Sequence, residues 1–176
     1  ATALKAENTW LPGIFLQDEV KLHEKHSMLL GLGYDYNSSH GNIFTPRFAY
    51  KWKPDDNTIL RLNAGTGFRV VNLFTEDHAA LTGARTVEIK ENLNPEKSYN
   101  VNLNLLKKLV TKENHSLTFD ATAWLTRFNN RIIADYLTDP NKIIYNNLNG
   151  FAISKGLSAN VDLAYASGLK FLLGAT

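Results

Sequence analysis

The chain has 176 residues, 19 lysines and arginines against 17 aspartates and glutamates, a formal net charge of +2 and no cysteine. The two signs are interspersed, which argues against the clustered basic face of a nucleic-acid-binding protein. The missing cysteine excludes a disulfide framework, thiolate metal sites and thiol catalysis. No apolar run approaches the ~20 residues of a transmembrane helix, and residues 1–8 contain no apolar core of a secretory leader. The slightly negative mean hydropathy fits a soluble β domain. It fits a membrane barrel equally, because alternating strand faces cancel in the average.

The informative signal is a period of two. The first predicted strand, Ile14 to Leu22, places Ile14, Leu16, Asp18, Val20 and Leu22 on one side. A carboxylate on that apolar face opposes the pattern; a bulge near Gln17–Glu19 would relieve it, but the sequence does not show one. From Ser27 to Tyr36, Met28, Leu30, Leu32, Tyr34 and Tyr36 alternate with Ser27, Leu29, Gly31, Gly33 and Asp35. From Phe44 to Lys53, Phe44, Phe48, Tyr50 and Trp52 oppose Thr45, Arg47, Lys51 and Lys53. Pro46, with no amide to donate, belongs at a strand start or a bulge rather than in the middle. Leu60, Leu62 and Ala64 then alternate with Arg61, Asn63 and Gly65.

Ser98 to Leu105 is the cleanest segment: Tyr99, Val101, Leu103 and Leu105 against Ser98, Asn100, Asn102 and Asn104. Asparagines are poor strand formers, and three on one face make sense where that face meets water inside a channel. Ser116 to Thr126, Ile153 to Tyr165 and Leu169 to Ala175 complete about eight strands, and no helical stripe of comparable length occurs. Predicted short turns at Leu22–His26, Pro54–Thr58, Thr111–His115 and Ala166–Gly168 all fall at one end. Predicted longer loops at Asn37–Ile43, Arg69–Lys97 and Arg131–Ile144 fall at the other. Short turns opposite long loops are the layout of an outer-membrane barrel. Tyr34 and Tyr36 at one rim and Tyr50 and Trp52 at the other suit the two membrane interfaces.

Several motifs occur in a fixed order: Pro12-Gly13-Ile14-Phe15-Leu16-Gln17-Asp18-Glu19, Gly31-Leu32-Gly33-Tyr34-Asp35-Tyr36, Phe44-Thr45-Pro46-Arg47, Arg61 to Arg69, Asn72-Leu73-Phe74 and Asn92 to Tyr99. Together they resemble the barrel of TonB-dependent outer-membrane receptors. The resemblance implies an all-β, antiparallel up-and-down meander, about eight strands of a larger transmembrane β-barrel. Residues 1–176 would then be a partial barrel domain, without the plug domain and the remaining strands. It also implies active transport of a ferric siderophore, haem, cobalamin or similar bulky nutrient across the outer membrane of a Gram-negative bacterium. The implied partners are outer-membrane lipid, the extracellular ligand and, through the plug, the TonB complex.

The candidate ligand or lumen-lining residues are Arg47, Arg61, Arg69, Asn72, Glu76 and His78. The arginines are placed to guide an anionic chelate, or else to pair with lumen carboxylates or contact the plug. The loop residues are solvated charge by default, and Asn72 is a plausible N-cap for a short helix to Leu81. No catalytic set, cofactor or metal is expected. His23-Glu24-Lys25-His26 is one residue short of the helical zinc motif, and Gly65-Thr66-Gly67-Phe68-Arg69-Val70 lacks the last glycine of a dinucleotide loop. A competing expectation is a complete eight-stranded barrel, either a ligand-binding module or an adhesin. A lumen rich in Lys, Arg and Asn, with few large fillers, counts against closure, as does the non-aromatic end Leu172-Leu173-Gly174-Ala175-Thr176. A soluble β enzyme would need convergent titratable groups that the sequence does not offer.

Overall fold

The structure is a computed structural model that describes residues 9–70, 85–89, 93–113 and 115–176. Eight strands, β1 (Gly13–His23), β2 (His26–Asn37), β3 (Gly41–Asp55), β4 (Thr58–Arg69), β6 (Glu96–Val110), β7 (Ser116–Asn129), β10 (Phe151–Ala164) and β11 (Lys170–Ala175), form one antiparallel meander. A second sheet of three strands, in the order β5 (Thr86–Ile89), β9 (Lys142–Asn147), β8 (Ile132–Asp135), is built from the two long connections at one end. All eight predicted strands are present. Among the described residues β1 pairs only with β2 and β11 only with β10, so the large sheet stays open rather than closing at eight strands.

Register carries the period-two pattern across the sheet. Leu30 faces Phe48, Phe48 faces Ala64, Ala64 faces Val101 and Val101 faces Leu125, which gives one continuous apolar face. Most of its large side chains are solvent-exposed within this chain, including Leu16, Leu32, Val101 and Leu157. That is the surface a water-soluble protein would bury. The aromatic rims hold: Tyr34 packs on Phe44 at the loop end, with ring centroids 5.1 Å apart, and His26 stacks on Trp52 at the turn end. Phe44 and Trp52 are eight residues apart on β3, roughly 26 Å along a strand rising ~3.3 Å per residue.

Three expectations are corrected. The β2–β3 connection is three residues, Ser38 to His40, not a longer loop. Asn37 is buried and its Oδ1 accepts from the amides of Ser39 (2.8 Å) and His40 (3.0 Å), while Gly41 takes φ +74°, so the side chain closes a tight turn. Asp18, by contrast, stands on the apolar face as strand parity implied, with no bulge, since β1 keeps register with β2 from Gly13 to Lys21 and slips only before His23. Pro46 lies inside β3, at the point where pairing with β4 stops; from Gly41 to Pro46 the strand pairs with β2 alone. Its carbonyl faces β4, so its missing amide removes a ladder bond on that side. Finally, strands β5, β8 and β9 occupy regions expected to be loop.

Candidate functional site

The polar face of the large sheet is organised by amide side chains. Arg61 on β4 faces Asn104 on β6, and its Nη1 donates to Asn104 Oδ1 at 3.0 Å. Asn104 Nδ2 in turn donates to Asp120 Oδ1 (2.6 Å) and Thr122 Oγ1 (2.9 Å) on β7. One rung toward the loops, Asn63 Nδ2 donates to Asn102 Oδ1 at 2.8 Å. Low strand propensity is offset here by cross-strand hydrogen bonds. The asparagine run is a ladder linking three strands.

Arg47 is placed differently. It stands on β3 between Gly31 of β2 and Gly65 of β4, directly opposite each. A Cβ on Gly31 would lie 3.6 Å from Arg47 Cβ, and one on Gly65 3.6 Å from Arg47 Cγ. The guanidinium therefore rises from a furrow with no side chain on either flank. Open recesses adjoin it: about 390 Å³ toward Gln17, Gly33 and Asp35, and about 500 Å³ toward Asn63, Gly67 and Asn100. Among the described residues the Arg47 side chain makes no hydrogen bond or ion pair, and the residue lines both recesses.

Arg69 is the last residue of β4, not the first of a loop. Its Nε donates to Glu96 Oε2 at 3.0 Å, and Glu96 Oε1 accepts from the Ile132 amide at 2.9 Å. The buried carboxylate thus joins the large sheet to the small one. Asn147 adds a second tie, accepting from the Asn94 amide and donating to the carbonyls of Asn94 and Asn130. Lys142 Nζ meets Glu88 Oε2 at 2.7 Å, and this hydrogen bond, with the attraction behind it, holds the lysine above its ordinary pKa of 10.5.

Of the sequence-predicted residues, Arg47, Arg61 and Arg69 share the polar face but do not form one cluster. Arg61 and Arg69 are eight residues apart on β4, roughly 26 Å, and each has a partner, whereas Arg47 lies between them without one. Asn72, Glu76, His78 and the helix expected at Asn72–Leu81 lie outside the described residues. Glu96 went unrecognised; its position opposite Arg69 follows from β4–β6 register, which no local motif encodes. His23 and His26 flank a two-residue turn, and His26 Nδ1 is engaged by the Tyr50 hydroxyl at 2.5 Å. Among the described residues no three metal-binding side chains converge.

An open meander with one apolar face, one polar face and loops gathered at one end defines a piece of barrel wall. The family model described as "TonB dependent receptor-like, beta-barrel" matches residues 3–176, and the chain belongs to this family of receptors, which is not an enzyme class. Receptors of this family are outer-membrane proteins of Gram-negative bacteria. The fold is similar to that of the siderophore receptor PirA from Pseudomonas aeruginosa, with a TM-score of 0.72, 16% identity, and coverage of 96% of this chain and 35% of that one. It is also similar to the ferric enterobactin receptor PfeA from Pseudomonas aeruginosa, solved with enterobactin (TM-score 0.73, 17% identity, 94% and 26%). The FrpB iron transporter from Neisseria meningitidis is a further likeness (TM-score 0.70, 14% identity, 94% and 25%). The chain thus spans a quarter to about a third of the length of these structures. Comparison with curated protein sequences finds no match.

Proposed function

We propose that this chain is part of the wall of a larger, plug-closed barrel that takes up a bulky iron chelate or similar nutrient, energised through TonB. The apolar face meets lipid and the polar face lines the passage. The observation that carries the reading is Arg47: a cation without a partner, raised from a glycine furrow on the polar face. A resting salt bridge would leave it no reason to favour an anionic cargo; an open guanidinium fork does. The similar structures named for siderophores and iron point toward an iron chelate.

The test is uptake of a radiolabelled ferric catecholate by iron-starved cells carrying the whole receptor. Arg47→Ala is expected to lower uptake about five- to twenty-fold, consistent with loss of one charge-assisted contact of about 1–2 kcal/mol. Arg47→Lys should restore part of it, and a protonophore should abolish it. Unchanged uptake in Arg47→Ala at normal receptor abundance removes Arg47 from the pathway. Uptake indifferent to the protonophore removes the energised mechanism.

A further inference from the structure

The connection from β9 to β10 is three residues, Leu148 to Gly150, at the loop end. It is fixed on both sides. The Leu148 amide donates to the Arg131 carbonyl at 2.6 Å, and Phe151 pairs with Asn129. Between these anchors Asn149 and Gly150 are exposed. Among the described residues neither the Asn149 side chain nor the Gly150 amide makes a hydrogen bond. Gly150 takes φ +134°, and a Cβ built on it would meet nothing within 4 Å. Asn149 is the only asparagine of the chain that is followed by glycine.

This pair suits attack by a backbone amide on the preceding side chain. Once the Gly150 N–H has lost its proton, the nitrogen attacks Asn149 Cγ. The Cγ–Nδ2 bond breaks, and the leaving nitrogen departs with that proton as ammonia. The cyclic imide left behind takes up one water, which opens it at either carbonyl to aspartate or isoaspartate. The first step needs a free amide side chain, an unpaired nucleophilic N–H, and no following side chain to crowd it. Phe151, next in sequence, has the Arg127 guanidinium 4.4 Å from its ring centroid, and nearby positive charge favours the deprotonated amide. Other asparagines fail one condition. Asn37, followed by Ser38, is buried, and its Oδ1 accepts from the amides of Ser39 and His40. The Asn147 side chain is tied to Asn94 and Asn130. Asn57 is exposed, but the residue after it, Thr58, is β-branched.

We propose that Asn149–Gly150 is a self-modification site whose isoaspartyl product loosens the junction between the small sheet and the wall. Either product adds a negative charge to the connection. Isoaspartate also adds one carbon to the backbone, in a segment pinned at Leu148 and Phe151. The extra length falls on the bond between the Leu148 amide and the Arg131 carbonyl, which holds the end of β9 against the start of β8.

The test ages the whole receptor, folded in detergent micelles, in mildly alkaline buffer made with heavy-oxygen water. Peptides are then mapped by mass spectrometry, with aspartate and isoaspartate separated by chromatography. Asn149 should convert about ten-fold faster than the exposed Asn57, with isoaspartate the larger product and one heavy oxygen in each. Asn149→Gln, which would have to close a larger ring, should stay unconverted. Conversion no faster than at Asn57 overturns the site, and aspartate without isoaspartate overturns the cyclic route. Amide exchange at Lys142–Asn147 should quicken several-fold in the isoaspartyl fraction but not in Asn149→Asp, which has the charge without the extra carbon. Equal exchange in the two overturns the loosening.

Discussion

The eight-stranded wall and the three-stranded sheet at its loop end are stabilised in opposite ways. The wall has almost no interior within this chain: its apolar side chains stand exposed on one face and its polar ones are laddered on the other. The small sheet has a core. Ile143 (2% exposed), Ile144 (4%) and Tyr145 (3%) are buried, with Val87, Leu93, Ile132 and Ala134 packed around Ile143 and Tyr145. The wall is therefore an element whose apolar face finds no cover within this chain, while the small sheet makes its own core. Loops at a barrel mouth are usually the least ordered part of the fold. Here two of them share one sheet, and strand β9 pairs with β5 of the other loop in parallel.

The largest effect should follow from breaking that core. Ile143→Ala removes the most buried apolar side chain among the described residues, at a cost of about 2–5 kcal/mol. If the small sheet is a separate cooperative unit, amide exchange at Thr86–Ile89 and Lys142–Asn147 should accelerate at least thirty-fold while Tyr99–Leu105 stays protected. Matching acceleration in both would show that the two regions unfold as one.

Glu96 sharpens the comparison, because it is where the regions meet. Glu96→Ala removes the acceptor of both Arg69 and the Ile132 amide, a loss of about 1–3 kcal/mol. Arg69 is more than half exposed, which favours the lower end of that range. Protease cleavage between Asn130 and Ile132 should rise several-fold, with the β6–β7 ladder unaffected. An unchanged cleavage rate would mean that the Asn147 bonds to Asn94 and Asn130 suffice to hold the junction.

The same contrast explains what could be read in advance. The wall was legible because one face is apolar and the other polar, which writes period two into runs such as the eight residues from Ser98 to Leu105. The small sheet was not. Its strands are four to six residues long, and the run Ile143-Ile144-Tyr145 is buried on both faces, which erases alternation. Pro46 misled because propensity places proline at a strand end, while the tertiary arrangement allows it wherever the neighbouring strand has departed. At the candidate site the faces of Arg47, Arg61 and Arg69 followed from parity alone. Which of them has a partner did not, since Asn104 and Glu96 lie 43 and 27 residues away and meet them only through β4–β6 register.

The smallest effect concerns the Glu88–Lys142 pair, which links β5 to β9 at 2.7 Å with both side chains partly exposed. Its hydrogen bond raises the lysine pKa on folding, so the contribution is complete below the unfolded value and disappears only as pH rises through the higher folded one. Between pH 7 and 9 the lysine stays charged in both states and adds no pH dependence. Lys142→Met should therefore raise exchange at Thr86–Ile89 by less than about five-fold, the scale of an exposed ion pair, and by the same factor at pH 7 and pH 9. In the wild type the excess protection should fall away only above about pH 10.5, the ordinary lysine value. A variant-to-wild-type ratio that already narrows between pH 7 and 9 would show that the lysine is not held up by Glu88, and that the parallel β5–β9 pairing depends on its apolar core alone.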